Sequence, residues 1–183
     1  MKFYKYLVSF FLIIFFSYPV LASQANELNQ LFLKLKENDN LANADFLEKK
    51  IWAIWNKHPK NIKLTEKLKL GTELMYSGDY DYSLTVFNNI INTDPNWSEA
   101  WNKRATLLFF MKRFEESLND VSKVLLIEDR HFGALSGRAQ IYIQLQKYEL
   151  AIDSLKKARK IHPTIRGGNL INKLEELIKA QSI

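Results

Sequence analysis

The chain has 183 residues, 47% of them hydrophobic, with 6 Gly, 4 Pro and no Cys. That composition supports one core and excludes a disordered tract, a disulfide framework and thiol chemistry. Its 26 basic and 20 acidic residues give a formal charge of +6, too mild an excess to argue for nucleic acid.

Lys2 and Lys5 precede an apolar run from Leu7 to Phe16, and V-L-A at Val20 to Ala22 offers a cleavage site. Residues 1–22 therefore read as a signal peptide, because the apolar stretch is shorter than the ~20 residues a spanning helix needs. No cysteine stands near the cleavage point, so lipid attachment of the bacterial lipoprotein kind is excluded. Loss of Lys2 and Lys5 leaves 24 basic residues against 20 acidic ones, a charge of +4. A leader and a cysteine-free chain point to a periplasmic address, with membrane contact only through the leader before cleavage. Retention of the leader as an anchor is the alternative.

From residue 23 to 62 the pattern is that of a degenerate helical hairpin. Leu28, Leu31, Phe32 and Leu35 recur at helical spacing, N-D-N-L-A-N breaks the run, and Phe46, Leu47, Ile51, Ile54 and Trp55 form a second stripe. His58 and Pro59 close it.

From 64 to 165 one pattern returns every 34 residues, in copies 64–97, 98–131 and 132–165. Gly71, Ala105 and Ala139 fall in register, as do Tyr80, Phe114 and Tyr148, then Phe87, Val121 and Leu155, then Ile90, Val124 and Ala158. This period is that of a helix-turn-helix array, whose units bury their apolar faces only against each other. Small residues at Gly71, Ala105 and Ala139 allow the two helices of a pair to approach closely. After Pro163, G-G-N breaks the chain, and Leu170, Ile171, Leu174, Leu177 and Ile178 mark an amphipathic capping helix within 168–183.

The copies carry L-G at Leu70 and Gly71, G-D-Y at Gly78 to Tyr80 and D-P at Asp94 and Pro95. W-N-K-R-A from Trp101 and R-F-E-E-S from Arg113 follow, then G-R-A-Q-I-Y from Gly137, Y-E-L-A from Tyr148 and a closing Pro163. On these motifs the chain resembles the tetratricopeptide repeat (TPR) family. The resemblance implies an all-α fold, a right-handed α-solenoid of TPR hairpins with a C-terminal capping helix. R-H-F-G-A-L-S-G from Arg130 and I-W-x-x-W from Ile51 to Trp55 are also similar to short secreted bacterial TPR proteins.

Chemistry finds little support in the sequence. His58, His131 and His162 sit at repeat boundaries and read as exposed turn residues; no pair has the spacing of a helical metal site. There is no G-x-S-x-G elbow and no phosphate loop, so the expectation is a non-enzyme without cofactor or metal.

By resemblance to the family, a concave groove is lined by helix A of each copy. Copy one offers Thr65, Leu68, Lys69, Thr72, Met75 and Tyr76, and copy two Glu99, Asn102, Lys103, Thr106, Phe109 and Phe110. Copy three offers Gly133, Ser136, Gly137, Gln140, Ile143 and Gln144. Family members that bind the terminal carboxylate of heat-shock chaperones use Lys, Arg and Asn at several of these positions. Only Asn102 and Lys103 match here, with Gly133 and Gly137 where basic residues would stand. Those glycines either expose backbone to a partner or pack on the preceding hairpin. Arg104 and Arg138, where leucine is usual, form either structural ion pairs with Asp120 and Asp153 or an exposed anion-binding ladder.

The expected function is a periplasmic scaffold that binds a peptide segment or helix of another envelope protein as an assembly or maturation factor. The alternative is an accessory subunit of an envelope enzyme complex, in cell-wall or cytochrome maturation. Oligomeric state is left open, and Trp52, Trp97 and the last helix each read as core or as contact surface.

Overall fold

The computed structural model describes residues 24–38 and 40–181, so the leader at 1–22 lies outside the described residues. Among these residues every regular element is a helix. The chain runs through α1 (24–36), α2 (Leu41–Trp55), α3 (Ile62–Ser77), α4 (Tyr80–Thr93), α5 (Ser98–Phe110), α6 (Phe114–Ile127), α7 (Phe132–Gln144), α8 (Tyr148–Ile161) and α9 (Gly168–Gln181). No helix among them is long and apolar enough to cross a membrane.

Each helix from α3 onward packs on its neighbours in sequence, and α5 also touches α3 and α7. The second helix of each pair begins on the turn aromatic, Tyr80, Phe114 or Tyr148. Asn40, Asn61 and Asp79 cap α2, α3 and α4 by accepting backbone N–H groups in the first turn. Close approach within a pair rests on the small residues. A Cβ at Gly71 would lie 2.6 Å from the Phe87 ring, so only glycine lets α3 and α4 meet there. Serines one turn into α4 and α6 then tie the pairs together: Ser83 and Ser117 each donate at 2.7 Å to the Gly71 and Ala105 carbonyls.

The turn inside each pair takes one left-handed residue: Gly78 (φ 88°), Lys112 (φ 58°) and Gln146 (φ 56°), spaced at the repeat period. That conformation closes the first helix, because Asp79, Arg113 and Lys147 then donate back to the carbonyls of Leu74, Leu108 and Tyr142. Glycine serves copy one, while copies two and three hold a side chain in a region it disfavours.

Among the described residues the core falls into four clusters. Leu64, Leu68, Met75, Phe87, Ile90 and Leu107 fill the first pair and its junction with α5. Ala105, Val121, Val124, Ala134 and Ile141 fill the next, and Ala139, Ala151, Leu155, Ile171 and Leu174 seal the end against α9. The fourth cluster joins Leu28, Phe32, Leu35, Ile51 and Trp55 of the N-terminal hairpin to Phe132, with Ile161 and Ile165 beside it. The α1–α2 hairpin thus does not only precede α3. It reaches across to the start and the end of copy three, at Phe132, Ile161 and Ile165.

Candidate functional site

The N-terminal hairpin decides how much groove remains open. Trp55 stacks on His131 with ring centroids 3.9 Å apart and planes 7° from parallel. Its carbonyl accepts the Trp97 indole N–H at 2.9 Å. Trp52 packs edge-on to Phe132, and a Cβ at Gly133 would come within 2.5 Å of its ring. Gly133 is therefore the seat of this chain's own tryptophan and not a strip of backbone offered to a partner. Trp97 is core, 6% exposed, and α9 packs through Ile171 and Leu174.

The three histidines correct the sequence expectation. They are 7%, 0% and 1% exposed at His58, His131 and His162, where exposed turns were expected. Nδ1 of His58 accepts the N–H groups of Lys60 and Asn61, and Nδ1 of His131 accepts that of Ala134. A backbone N–H can only donate, so in these two rings the hydrogen is on Nε2. His58 Nε2 donates to Asp94 at 2.8 Å and His131 Nε2 to Glu99 at 3.1 Å. His162 Nε2 lies 3.1 Å from Glu48 of α2. Each histidine is a connector between a loop and a distant carboxylate. Among the described residues no His, Cys, Asp and Glu cluster could hold a metal ion.

Glu99 is wholly buried at the first turn of α5. Lys103 Nζ stands 3.1 Å from it, and the Asn102 amide donates to both its oxygens. Burial pushes the Glu99 carboxyl up, yet the His131 hydrogen bond and the Lys103 charge together hold it below the ordinary carboxylate value. Asn102 and Lys103, the two residues of the right type to grip a foreign carboxylate, are thus taken by one from the same helix.

Groove residues separate into open and closed sets. Thr106, Phe109, Phe110, Gly137 and Gln140 line a concave pocket of about 220 Å³ between α5 and α7, with Asn102 and Gly133 at its edge. No atom would meet a Cβ built at Gly137 within 4 Å, so this glycine faces open space. Tyr76, 72% exposed, lies 6.5 Å from Phe110 and extends the aromatic wall toward copy one. Gln144 is exposed, Thr72 and Ser136 are half-buried, and the hydroxyls of the last two are spent on the carbonyls of Leu68 and Phe132. Met75 and Leu68, expected in the groove, are each 2% exposed and belong to the core, because α5 leans on α3 along that face. Thr65 accepts the His58 N–H and Lys69 pairs with Glu73, while Ile143 packs in the last cluster. Sequence reasoning missed Ala105, Ser117, Val121 and Ile141 as pocket floor. Their signal was present, since each is a small or aliphatic residue on the buried inner face of α5, α6 or α7.

The two arginines part company. Arg104 grips Asp120 through Nε and Nη2, both at 2.7 Å, and donates Nη1 to Asn88 at 2.7 Å. Its guanidinium also lies over Trp101 at 4.9 Å. Asp120 is 3% exposed, so this is a structural pair. Among the described residues Arg138 makes one side-chain hydrogen bond, Nε to Ser154 Oγ at 3.0 Å. Asp153, its expected partner, pairs with Lys157 instead. Arg104→Met should therefore cost about 1.5–3 kcal/mol, the range for hydrogen bonds to charged groups, and Arg138→Met less than about 1 kcal/mol. Urea unfolding of the two variants checks this, and equal losses would contradict it.

A tetratricopeptide repeat family profile matches residues 133–164. A TPR repeat-containing protein of Rhizobium etli is 30% identical over 145 residues, which cover 79% of this chain and 71% of that protein. The chain spans only 10% to 26% of the length of other curated relatives, which include sperm-associated antigen 1 of rat and mouse. Among solved structures, the first TPR of Spaghetti (RPAP3) bound to an HSP90 peptide aligns with a TM-score of 0.61 at 20% identity, over 64% of this chain and 94% of that one. The Yersinia enterocolitica type III secretion chaperone SycD, in complex with a peptide of the translocator YopD, aligns with a TM-score of 0.60 at 14% identity, over 69% and 100%. At those identities the structural likeness speaks for the fold, and the relative in Rhizobium speaks for descent. With its period, helix pairs and relatives in agreement, the chain belongs to the tetratricopeptide repeat family.

Proposed function

We propose that this protein is a non-catalytic scaffold that takes a short segment of a partner protein into the concave pocket between α5 and α7. The observation that carries the reading is the pocket's lining: Phe109, Phe110, Val121 and Ile141 with Thr106, Asn102 and Gln140, and no charged side chain. Such a surface rewards a neutral segment that inserts an apolar side chain, with amides and hydroxyls left to fix its register. Glu99 already fills the place of an incoming carboxylate, so the segment is internal or helical and not a free C-terminus. The complexes of SycD with a YopD peptide and of the first RPAP3 repeat domain with an HSP90 peptide supply the precedent that proteins of this fold take up peptides.

The leader read at residues 1–22 supports a periplasmic address, and with it a partner in the envelope that the scaffold helps to assemble or mature. Export of the full chain with a protease-sensitive reporter tests the address, and a reporter that stays cytoplasmic refutes it.

Gly137 gives a test that separates binding from folding. Gly137→Leu adds a side chain into open space within α7 and removes a helical glycine, so the melting temperature should hold or rise, by up to about 1 kcal/mol of stability. A photocrosslinker at Gln140 should capture the partner, and capture should fall about tenfold in Gly137→Leu and in Phe110→Ala. Capture unchanged in both variants would move the site off this wall.

A further inference from the structure

A second recess lies away from the concave pocket and shares no residue with it. It runs between α1 and the end of α8, has a volume of about 370 Å³, and is floored by Phe32, Leu33 and Ile161 with Lys36, Lys160 and Arg130 around it. Its origin is a mismatch of directions. Leu28, Leu31, Phe32 and Leu35 turn α1 toward the core, which leaves Leu33 on the outer side, 54% exposed. Arg130 lies 4.4 Å over the Phe32 ring. It is pinned there by Glu128, through Nε at 2.8 Å and Nη2 at 2.9 Å, and by Asn29 at 2.7 Å. It is a wall whose charge is already answered.

Lys36 and Lys160 are different. Both are exposed, and among the described residues neither has an ion-pair partner. Lys160 sits in the basic last turn of α8 beside Arg159. Among the described residues no carboxylate lines the recess. Two exposed ammonium groups therefore flank an apolar lining, and the charge that complements them is negative.

We infer that this recess is a second docking surface, for an acidic segment of another protein that carries a bulky apolar side chain. The apolar side chain covers Leu33 and Ile161, and flanking Asp or Glu residues meet Lys36 and Lys160. The recess has room for one protruding side chain, at the low end of the volumes of ligand-binding clefts, and the lysines at its sides complement acids on the same segment. Charge on the rim steers the encounter and makes it salt-dependent.

The test pans a random 12-residue peptide display library against the full mature chain and reads the selected peptides by fluorescence anisotropy. One selected class should carry Asp or Glu beside Phe, Trp or Leu. Its affinity should drop about tenfold or more in the Lys36→Glu/Lys160→Glu variant, and again when NaCl rises from about 50 mM to about 500 mM. It should be unchanged in Gly137→Leu, which blocks only the concave pocket. Both lysines are exposed, so the charge-reversed variant should melt with the parent, and peptides remade with Lys in place of the acids should regain binding to it. Selection of no acidic class, or acidic peptides that bind the charge-reversed variant equally, overturns the inference. So does binding of phosphatidylglycerol vesicles that is lost with the two lysines when no peptide is selected, which would make the surface a membrane contact.

Discussion

Trp55→Ala should lower stability by about 3–5 kcal/mol, the range for removing a buried tryptophan, and bring the melting temperature down by roughly 10 °C in a chain of this size. Trp55 is 5% exposed and joins four partners at once: it stacks on His131, tilts against Phe32 and Phe132, and meets Trp52 edge-on. Aromatic rings hold the α1–α2 hairpin to the start of α7, so a smaller side chain would leave a gap there. Loss should therefore be local. Hydrogen exchange should show amides of α1 and α2 opening while those of α5 to α8 keep their protection, since stacked repeats rely on their own neighbours. A midpoint within a degree of the parent would mean the hairpin is held elsewhere.

That seam also marks where the sequence stopped being informative. Helix starts at Tyr80, Phe114 and Tyr148 were legible because a repeated register reports local geometry, and the close approach of α3 and α4 at Gly71 followed from its small size. The histidines were misread because their partners are remote. Asp94 is 36 residues from His58, Glu99 is 32 from His131, and Glu48 is 114 from His162. A residue before proline in a turn looks exposed until the hairpin that covers it is in view. Of the groove positions carried over from the family, Phe110, Gly137 and Gln140 line the concave pocket. Met75 and Leu68 lie in the core instead, where the lean of α5 on α3 closes the wall, and Gly133 at the pocket edge also seats Trp52. The left-handed turn was visible as glycine in copy one alone; Lys112 and Gln146 adopt it with nothing in their side chains to announce it.

The buried carboxylate of Glu99 is the other point at which one substitution should cost most. Glu99→Ala should lose about 3–5 kcal/mol, because it strips the partner from the Lys103 ammonium, 18% exposed, and from the His131 Nε2–H and the Asn102 amide. The pH dependence has a definite sign. Since the folded state holds this carboxyl below its ordinary value, its contribution is complete above the ordinary carboxylate range and is lost as pH falls through the depressed value. Glu48, pulled down first by its hydrogen bond from His162, acts in the same direction. Parent and Glu99→Gln should thus differ most near neutrality and converge in acid, which urea titrations at several pH values will show. Removing both charges separates the ammonium's share from the rest: Glu99→Met/Lys103→Met should recover the part of the loss that comes from stranding Lys103, while the His131 Nε2–H and the Asn102 amide stay unpartnered. If Glu99→Ala instead costs under about 1 kcal/mol, the carboxylate does not lock Lys103 and Asn102, and those two residues are free to grip a ligand's own acid.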